Sequence, residues 1–307
     1  MTLNDSHASK KTRFSVIDIM LIVMSFIWGI NFSVVKSALN EGFYPLSFNS
    51  LRFGSASLFL LAFLWIRERN LSIHKEDIGR FILLGLIGNT IYQFLFINGI
   101  FRTTASNSSL FLAMTPIFVA VLSSILHVEK VQRRVWFGVF LSFFGIVLIS
   151  LGAGNSLNIS SESLTGDVLV LTGTVCWSSY TVLSKPLLQR YSPLKVTTLT
   201  VAIGTLPLVV VSIPSLKGQN WSLVPLQGWL SLAFSFFFAI AIGYVIWYTG
   251  VSRIGSARTA LYEGLITVIA LATAWLTLSE SMTQLQILGI VLVFVSLYLA
   301  RRTSNSN

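Results

Sequence analysis

The chain has very little charge for its length. Of its 307 residues, 10% are charged and 54% are hydrophobic, whereas roughly a quarter of the residues of a typical soluble domain carry charge. The mean hydropathy is +0.77, and apolar blocks recur along most of the sequence. This composition excludes an ordinary soluble globular protein and favours a protein that lies in lipid.

The motifs of common enzyme chemistry are also missing. A single cysteine, Cys176, excludes an intramolecular disulfide framework and a cysteine-rich metal site. The sequence has no Gly-x4-Gly-Lys-Ser/Thr stretch to bind nucleotide phosphates and no His-Glu-x-x-His zinc motif. A lipid-modifying membrane enzyme would need acids, histidines or metal ligands clustered at one interface, and no such cluster is present. We therefore expect no enzyme activity, no cofactor and no metal site.

Ten apolar segments are long enough to cross a membrane as helices. A span needs about 20 mostly apolar residues, and isolated polar residues are tolerated within it because a helix satisfies its own backbone. The connections between the segments are short. The sequence thus predicts an all-α integral membrane protein of ten transmembrane helices, at approximately 16–37, 45–66, 78–100, 104–126, 133–151, 165–188, 193–214, 225–248, 256–277 and 283–300.

The basic residues indicate the orientation of these spans. The formal net charge is +10, but Lys and Arg fall in short clusters between apolar segments and not in the single patch that nucleic-acid binding requires. An N-terminus in the cytoplasm puts 17 of the 21 Lys and Arg residues on the cytoplasmic side. Because the Lys/Arg bias of short loops sets topology, we expect both termini in the cytoplasm and no nucleic-acid partner. The terminal basic residues in this count are Lys10, Lys11, Arg13, Arg301 and Arg302.

An internal repeat divides the chain into two halves, 1–155 and 156–307. Trp28 and Lys36 in the first span match Trp177 and Lys185 in the sixth, 149 residues later. Each half holds five spans, an odd number, so the second half must enter the membrane from the opposite side, as an inverted repeat. Further matches, 151 residues apart, are Gly99 with Gly250, Arg102 with Arg253, Glu129 with Glu280, and Gly138 with Gly289.

These residues give the chain a resemblance to the drug/metabolite transporter superfamily, and within it to the EamA-type ten-helix transporters. The matching features are Trp28-Gly-x-Asn ending in Lys36, Leu51-Arg52-Phe53, and the stretch from Ala105 through Pro116 to Glu129. The resemblance covers the whole chain and implies a five-plus-five inverted repeat, a central cavity and export of amino acids or related metabolites without ATP. The chain departs from the family pattern at Thr267, which matches Pro116, and at Glu263, where a neutral residue is more usual. These departures leave the coupling mechanism open.

Two ionisable residues lie inside predicted spans, where charge is costly and points to function. Arg52 lies about seven residues into the second span, roughly 10 Å deep at 1.5 Å per residue. Its guanidinium could bind a substrate carboxylate, or it could bond backbone carbonyls and hold the bundle together. Glu263 lies at a similar depth in the ninth span and could load and release a proton. Alternatively, Glu263 pairs with Arg258 or faces a wet crevice.

Polar and aromatic residues of several spans predict a substrate cavity. Asn89, Tyr92 and Gln93 share one face of the third span near the midplane, although such residues can also hold helices together. We expect the repeat-related Trp28 and Trp177 to line opposite sides of the cavity. The predicted lining is Trp28, Asn31, Asn89, Tyr92, Gln93, Trp177, Tyr180, Tyr244 and Trp247.

The sequence therefore predicts a secondary transporter in the cytoplasmic (inner) membrane, exporting amino acids or similar metabolites by alternating access. Uptake or facilitated diffusion stays open, because an alternating-access protein follows whichever combined gradient it is given. A membrane scaffold is the alternative from another class. The expected partners are a small solute and the lipid bilayer, with a homodimer left open.

Overall fold

The computed structural model describes residues 15–103, 108, 111–152, 161–278 and 283–301. Every regular element within these ranges is helical. Several residues used in the sequence argument lie outside the described ranges, namely Lys10, Lys11, Arg13, Ala105, Glu280 and Arg302.

The first half begins with two long helices whose ends have clear local causes. Ser15 caps the first helix in a capping box with Asp18, and Pro45 supplies the preset backbone angle favoured in a first helical turn. A short 3-10 turn, Lys75–Asp77, precedes the third span. The helices are α1 (Val16–Asn40), α2 (Pro45–Glu68), α3 (Ile78–Gly85), α4 (Tyr92–Arg102), α5 (Thr115–Ile125) and α6 (Arg133–Gly152).

The second half repeats the order of the longer helices and, among the described residues, adds two short helices. Its second long helix also starts at a proline, Pro193, which follows the capping residue Ser192. The helices are α7 (Ser161–Leu183), α8 (Lys185–Leu188), α9 (Pro193–Gly218), α10 (Leu226–Phe234), α11 (Gly243–Ile254), α12 (Ser256–Ala260), α13 (Glu263–Leu278) and α14 (Gln284–Arg301).

The third predicted span of each half contains a wide, π-helical turn. The turn Leu86–Ile91 joins α3 to α4, and the turn Ser235–Ile242 joins α10 to α11. The two turns begin 149 residues apart, which is the spacing of the tryptophan repeat. Such turns are rare and are frequent at functional sites, so their duplication marks the same place in both halves.

The predicted spans 104–126 and 256–277 are not continuous helices. A turn at Ala113–Met114 precedes α5, and a turn at Leu261–Tyr262 separates α12 from α13. Pro116 lies in the first turn of α5, where its missing N–H costs nothing. Both interruptions leave a helix start in the interior of the bundle.

The exterior of the bundle is apolar. Among the described residues, six helical stretches are long and apolar enough to cross a membrane, and α5 and the segment Gln284–Ala300 are shorter apolar helices. Large side chains such as Phe137, Phe144 and Phe294 are more than half exposed. An exposed apolar surface of this extent suits lipid and not water, so the fold is that of a multi-pass membrane protein. The six stretches are Val16–Asn40, Pro45–Glu68, Lys75–Arg102, Arg133–Gly152, Pro193–Gly218 and Leu226–Ile254.

The last helices of the two halves, α6 and α14, pack with their backbones in close contact. A Cβ atom added to Gly145 of α6 would lie 2.8 Å from the carbonyl oxygen of Gly289 in α14. Glycine is therefore needed for this approach, which lets the two helices pack through their main chains.

The connections meet at two opposite ends of the bundle, here called the Ser15 end and the Asn40 end after the limits of α1. At the Asn40 end, the Gln219 side-chain nitrogen donates to the Gly42 carbonyl at 2.8 Å. At the Ser15 end, Arg190 donates to the buried carboxylate of Asp77 at 3.0 Å. Both links join a loop of one half to a loop of the other.

Candidate substrate cavity

A cavity of about 570 Å³ lies between the two halves. It reaches from aromatic residues in the middle of the bundle to Lys36 and Ser150, which lie near the last turns of α1 and α6 at the Asn40 end. Both interrupted helices border it, because Thr115 at the start of α5 and Glu263 at the start of α13 contribute to its wall. The predicted residues in the lining are Trp28, Asn31, Arg52, Tyr92, Gln93, Trp177, Tyr244 and Glu263.

The floor of the cavity is a cluster of aromatic rings. Trp28 and Trp177 contact each other edge to face, with ring centroids 5.8 Å apart. Tyr244 packs on both, at 6.0 and 5.3 Å, and Tyr92 packs on Trp177 at 5.2 Å. The repeat-related tryptophans therefore form one floor together and do not face each other across the cavity. Edge-to-face and tilted pairs at these distances are favourable.

Trp28 also connects the floor to the wide turn of the second half. Its indole N–H donates to the backbone carbonyl of Ala239 at 2.9 Å, within the turn Ser235–Ile242. The wide turn thus positions a tryptophan of the first half.

Arg52 is 3% exposed and is held by neutral side chains. Its Nε donates to the Asn49 side-chain oxygen at 2.8 Å, one terminal nitrogen donates to the Ser235 hydroxyl at 3.3 Å, and the other donates to the Gln93 side-chain oxygen at 3.0 Å. The guanidinium lies over the rings of Phe48 and Phe53, 5.7 and 5.4 Å from their centroids. The cation is therefore fixed in position without an acidic partner among the described residues.

Two further hydrogen bonds extend this network across the wall. The Ser235 hydroxyl donates to the Asn31 side-chain oxygen at 2.8 Å, and the Gln93 amide nitrogen donates to the Tyr244 hydroxyl at 2.9 Å. The network joins residues of both halves on one side of the cavity, so a solute bound there would contact the two halves at once.

Glu263 lies on the wall next to the aromatic floor. The indole N–H of Trp177 donates to its Oε1 atom at 2.8 Å. Within the described chain, no Lys or Arg lies at ion-pair distance from this carboxyl group, so the predicted alternative of a pair with Arg258 does not apply. Its position after the break at Leu261–Tyr262 brings it to the cavity.

Three predicted lining residues lie outside the cavity wall. Asn89 is fully buried in the wide turn Leu86–Ile91 and packs toward Gly204 of α9. The hydroxyl groups of Tyr180 and Thr200 are 2.6 Å apart. Trp247 lies beneath the floor, where its indole N–H donates to the Thr181 hydroxyl at 3.2 Å.

At the opposite, Ser15 end, the Glu129 carboxylate links the two halves, a contact that the sequence did not predict. Glu129 forms an ion pair with Lys185. Its two oxygens also accept from the backbone N–H groups of Ser256 and Ala257, at 3.1 and 2.9 Å. Gly255, at φ +93°, allows this close approach. The signal in the sequence was that each residue belongs to a repeated pair, Glu129 with Glu280 and Lys185 with Lys36.

The sequence matches the model of the EamA-like transporter family twice, over residues 15–151 and 164–302. The chain belongs to the EamA-like transporter family. Its relatives include an uncharacterized transporter, YyaM, of Bacillus subtilis, which is 30% identical over 92% of each chain. A probable amino-acid metabolite efflux pump of Escherichia coli is 28% identical, over 92% of this chain and 93% of that one.

A solved crystal structure supports the fold of this family member. It aligns with a TM-score of 0.77 over 93% of this chain and 98% of the other, at 15% sequence identity. The family consists of transporters, which agrees with the expectation that the chain is not an enzyme.

Proposed function

We propose that this protein is a secondary transporter that exports amino acids or related small metabolites across the cytoplasmic membrane by alternating access. The observation that carries the proposal is a cavity of about 570 Å³ that draws side chains from both halves. The cavity extends to the Asn40 end, whereas Glu129 joins elements of both halves at the Ser15 end. Alternating access uses such states, in which a central site communicates with one side only.

The proposed topology has ten crossings, with the halves 1–155 and 156–307 inserted in opposite directions and both termini in the cytoplasm. The duplicated wide turns at Leu86–Ile91 and Ser235–Ile242 support an inverted repeat. The Lys/Arg bias supports a cytoplasmic Ser15 end. In this topology the cavity extends toward the external side.

The proposed driving force is proton exchange at Glu263. Among the described lining residues it carries the only carboxyl group, and its hydrogen bond comes from the neutral indole of Trp177. An acid inside a membrane protein without a basic partner is a candidate proton carrier, because protonation removes a charge that the site does not neutralise.

The proposed solute class follows from the floor and wall together. Aromatic rings provide apolar contact area, and the side chains of Asn31, Gln93 and Arg52 provide polar groups that can orient a small ligand. The name of the relative from Escherichia coli refers to efflux of amino-acid metabolites, which supports the same class for this chain.

The deciding experiment is flux in proteoliposomes of the purified chain. A panel of labelled amino acids and related metabolites is tested with and without an imposed pH gradient. Saturable flux driven by the gradient supports the proposal. Saturable flux that ignores the gradient indicates facilitated diffusion, and accumulation in the opposite direction under a physiological gradient indicates uptake. Absence of flux for every solute, from protein shown to be folded, favours a scaffold.

A further inference from the structure

We infer that Arg52 binds a carboxylate group of the transported solute, so that the cavity selects carboxylate-bearing amphipathic solutes over amines of the same size. The inference rests on the proposed transport function and specifies the substrate class of the same cavity.

The hydrogen-bond inventory of Arg52 leaves donors free for a ligand. A guanidinium group has five N–H donors, and three are used by the side chains of Asn49, Ser235 and Gln93. The remaining two have no acceptor among the described residues, although the side chain is 3% exposed and contributes to the cavity lining. A buried cation is costly until a matching anion reaches it, and a carboxylate fits the planar fork of a guanidinium.

The guanidinium is also held in place before a ligand arrives. The rings of Phe48 and Phe53 lie against it, and hydrogen bonds engage its Nε and both terminal nitrogens. A preorganised donor loses little conformational freedom when it binds. This geometry suits a directional contact with a carboxylate.

The repeat places a neutral residue, Thr200, at the position that matches Arg52. Arg52 and Thr200 each lie seven residues after the proline that starts their helix, Pro45 or Pro193. In the second half, the hydroxyl groups of Thr200 and Tyr180 meet at 2.6 Å as a neutral pair. The second half therefore has a neutral hydroxyl group at this position, whereas the matching position of the first half, which contributes to the cavity lining, carries a cation.

The charge balance of the cavity favours anionic over cationic groups. Lys36 lies on the lining toward the Asn40 end, and no acidic group of the described chain lies at ion-pair distance from its nitrogen. The described lining therefore contains two cations, Lys36 and Arg52, and one acid, Glu263. An amine without a carboxylate would meet net repulsion, because unscreened like charges destabilise each other.

The test compares matched ligands that differ in the carboxylate. The probes are L-phenylalanine, 3-phenylpropanoate, 2-phenylethylamine and L-phenylalanine methyl ester, with the corresponding leucine series, which is L-leucine, 4-methylpentanoate, 3-methylbutylamine and L-leucine methyl ester. Affinity is measured on the purified full chain by ligand-induced thermal stabilisation across a concentration range. The readout is the ratio of acid affinity to amine affinity, which partial loss of folded protein does not change.

In the unaltered chain, the carboxylate-bearing probes should bind roughly tenfold or more tightly than the amines and esters, because a hydrogen bond to a charged group contributes about a factor of ten or more. Arg52→Gln should bring the ratio close to one, and Arg52→Lys should retain part of it, since the charge remains without the fork. Arg102→Gln is the matched control, because Arg102 is exposed and outside the lining.

Three results would overturn the inference: a carboxylate preference that persists in Arg52→Gln, amines that bind as tightly as acids, or binding by none of the eight probes. Flux measured on the same protein separates these failures from failure of the proposed function. Gradient-driven flux of a solute without a carboxylate rejects the role of Arg52 while transport stands, whereas absence of flux for every solute rejects transport itself.

Discussion

The Lys185 ammonium group of the second half forms an ion pair with the Glu129 carboxylate of the first half, and that carboxylate also accepts the backbone N–H groups of Ser256 and Ala257. The two charged side chains are only 20% and 14% exposed. Fully exposed pairs contribute little to stability, but a shielded pair that also caps a helix start contributes more. One side chain thus joins the segment that follows α5 to the start of α12.

Glu129→Gln should loosen the Ser15 end. In the proposed cycle these contacts must break whenever the cavity turns to that side, so weakening them favours the state that opens there. The measurement is labelling of a reporter cysteine, Thr267→Cys in a Cys176→Ala background, by a membrane-impermeant thiol reagent added from the Ser15 side. We expect labelling several-fold faster than in the parent.

The control for this experiment is Lys130→Gln, which removes an exposed charge next to Glu129 and should leave the labelling rate unchanged. The reversed pair Glu129→Lys with Lys185→Glu should recover part of the protection, because the ion pair returns whereas the backbone cap does not. Unchanged labelling in both Glu129→Gln and Lys185→Gln would show that other contacts close this end.

Glu263→Gln should abolish proton-driven accumulation and leave solute exchange. The amide retains the shape of the carboxyl group and can still accept from Trp177, but it cannot carry a proton. Flux driven by a pH gradient and counterflow exchange of labelled for unlabelled solute are measured in the same proteoliposomes. Glu41→Gln changes an acid outside the cavity lining that bonds Ser37, and it should retain both activities. Retention of gradient-driven accumulation in Glu263→Gln would remove this residue from the coupling mechanism.

Trp28→Ala should weaken solute binding more than Trp28→Phe. Alanine removes the ring that packs against Trp177 and Tyr244, and aromatic pairs of this kind contribute about 0.5–1.5 kcal/mol beyond their burial. Phenylalanine keeps a ring and loses the hydrogen bond to the Ala239 carbonyl, which is worth about 1 kcal/mol. The half-saturation concentration for transport is the measurement. Equal values in the two variants would show that the ring does not contribute to the binding site.

The helical class and the membrane location could be predicted, because a long apolar run is typical of a membrane-spanning helix, which satisfies its own backbone hydrogen bonds in lipid.

The position of Asn89 could not be predicted from the sequence. Helical periodicity places Asn89 on the face of Tyr92 and Gln93, but the wide turn Leu86–Ile91 has more residues per turn and changes the phase between them. Asn89 therefore packs toward Gly204 while Gln93 reaches the cavity.

The two wide turns have no shared residue signature that would reveal them. Leu86–Ile91 contains Gly88, whereas Ser235–Ile242 contains neither glycine nor proline. The contact between Trp28 and Trp177 could not be predicted from the sequence either. A repeat shows that two residues are equivalent, but it does not show how far each residue lies from the axis that relates the two halves. The contacts of Glu129 with Lys185, Ser256 and Ala257 could not be predicted for a similar reason, because the sequence does not show which helix ends meet.

Gly145→Ala should destabilise the protein, whereas the same substitution at Gly54 should not. The new methyl group at residue 145 would lie 2.8 Å from the Gly289 carbonyl oxygen, so one helix backbone must move; overpacking of this kind costs about 1–3 kcal/mol. At Gly54 nothing lies within 4 Å of the added atom, and replacing glycine by alanine inside a helix contributes up to about 1 kcal/mol of stability. Thermal unfolding of the two purified variants in the same detergent compares them directly. Equal melting temperatures would show that α6 and α14 do not rely on this backbone contact, since both variants carry the same chemical change in a helix and differ only in what the methyl group meets.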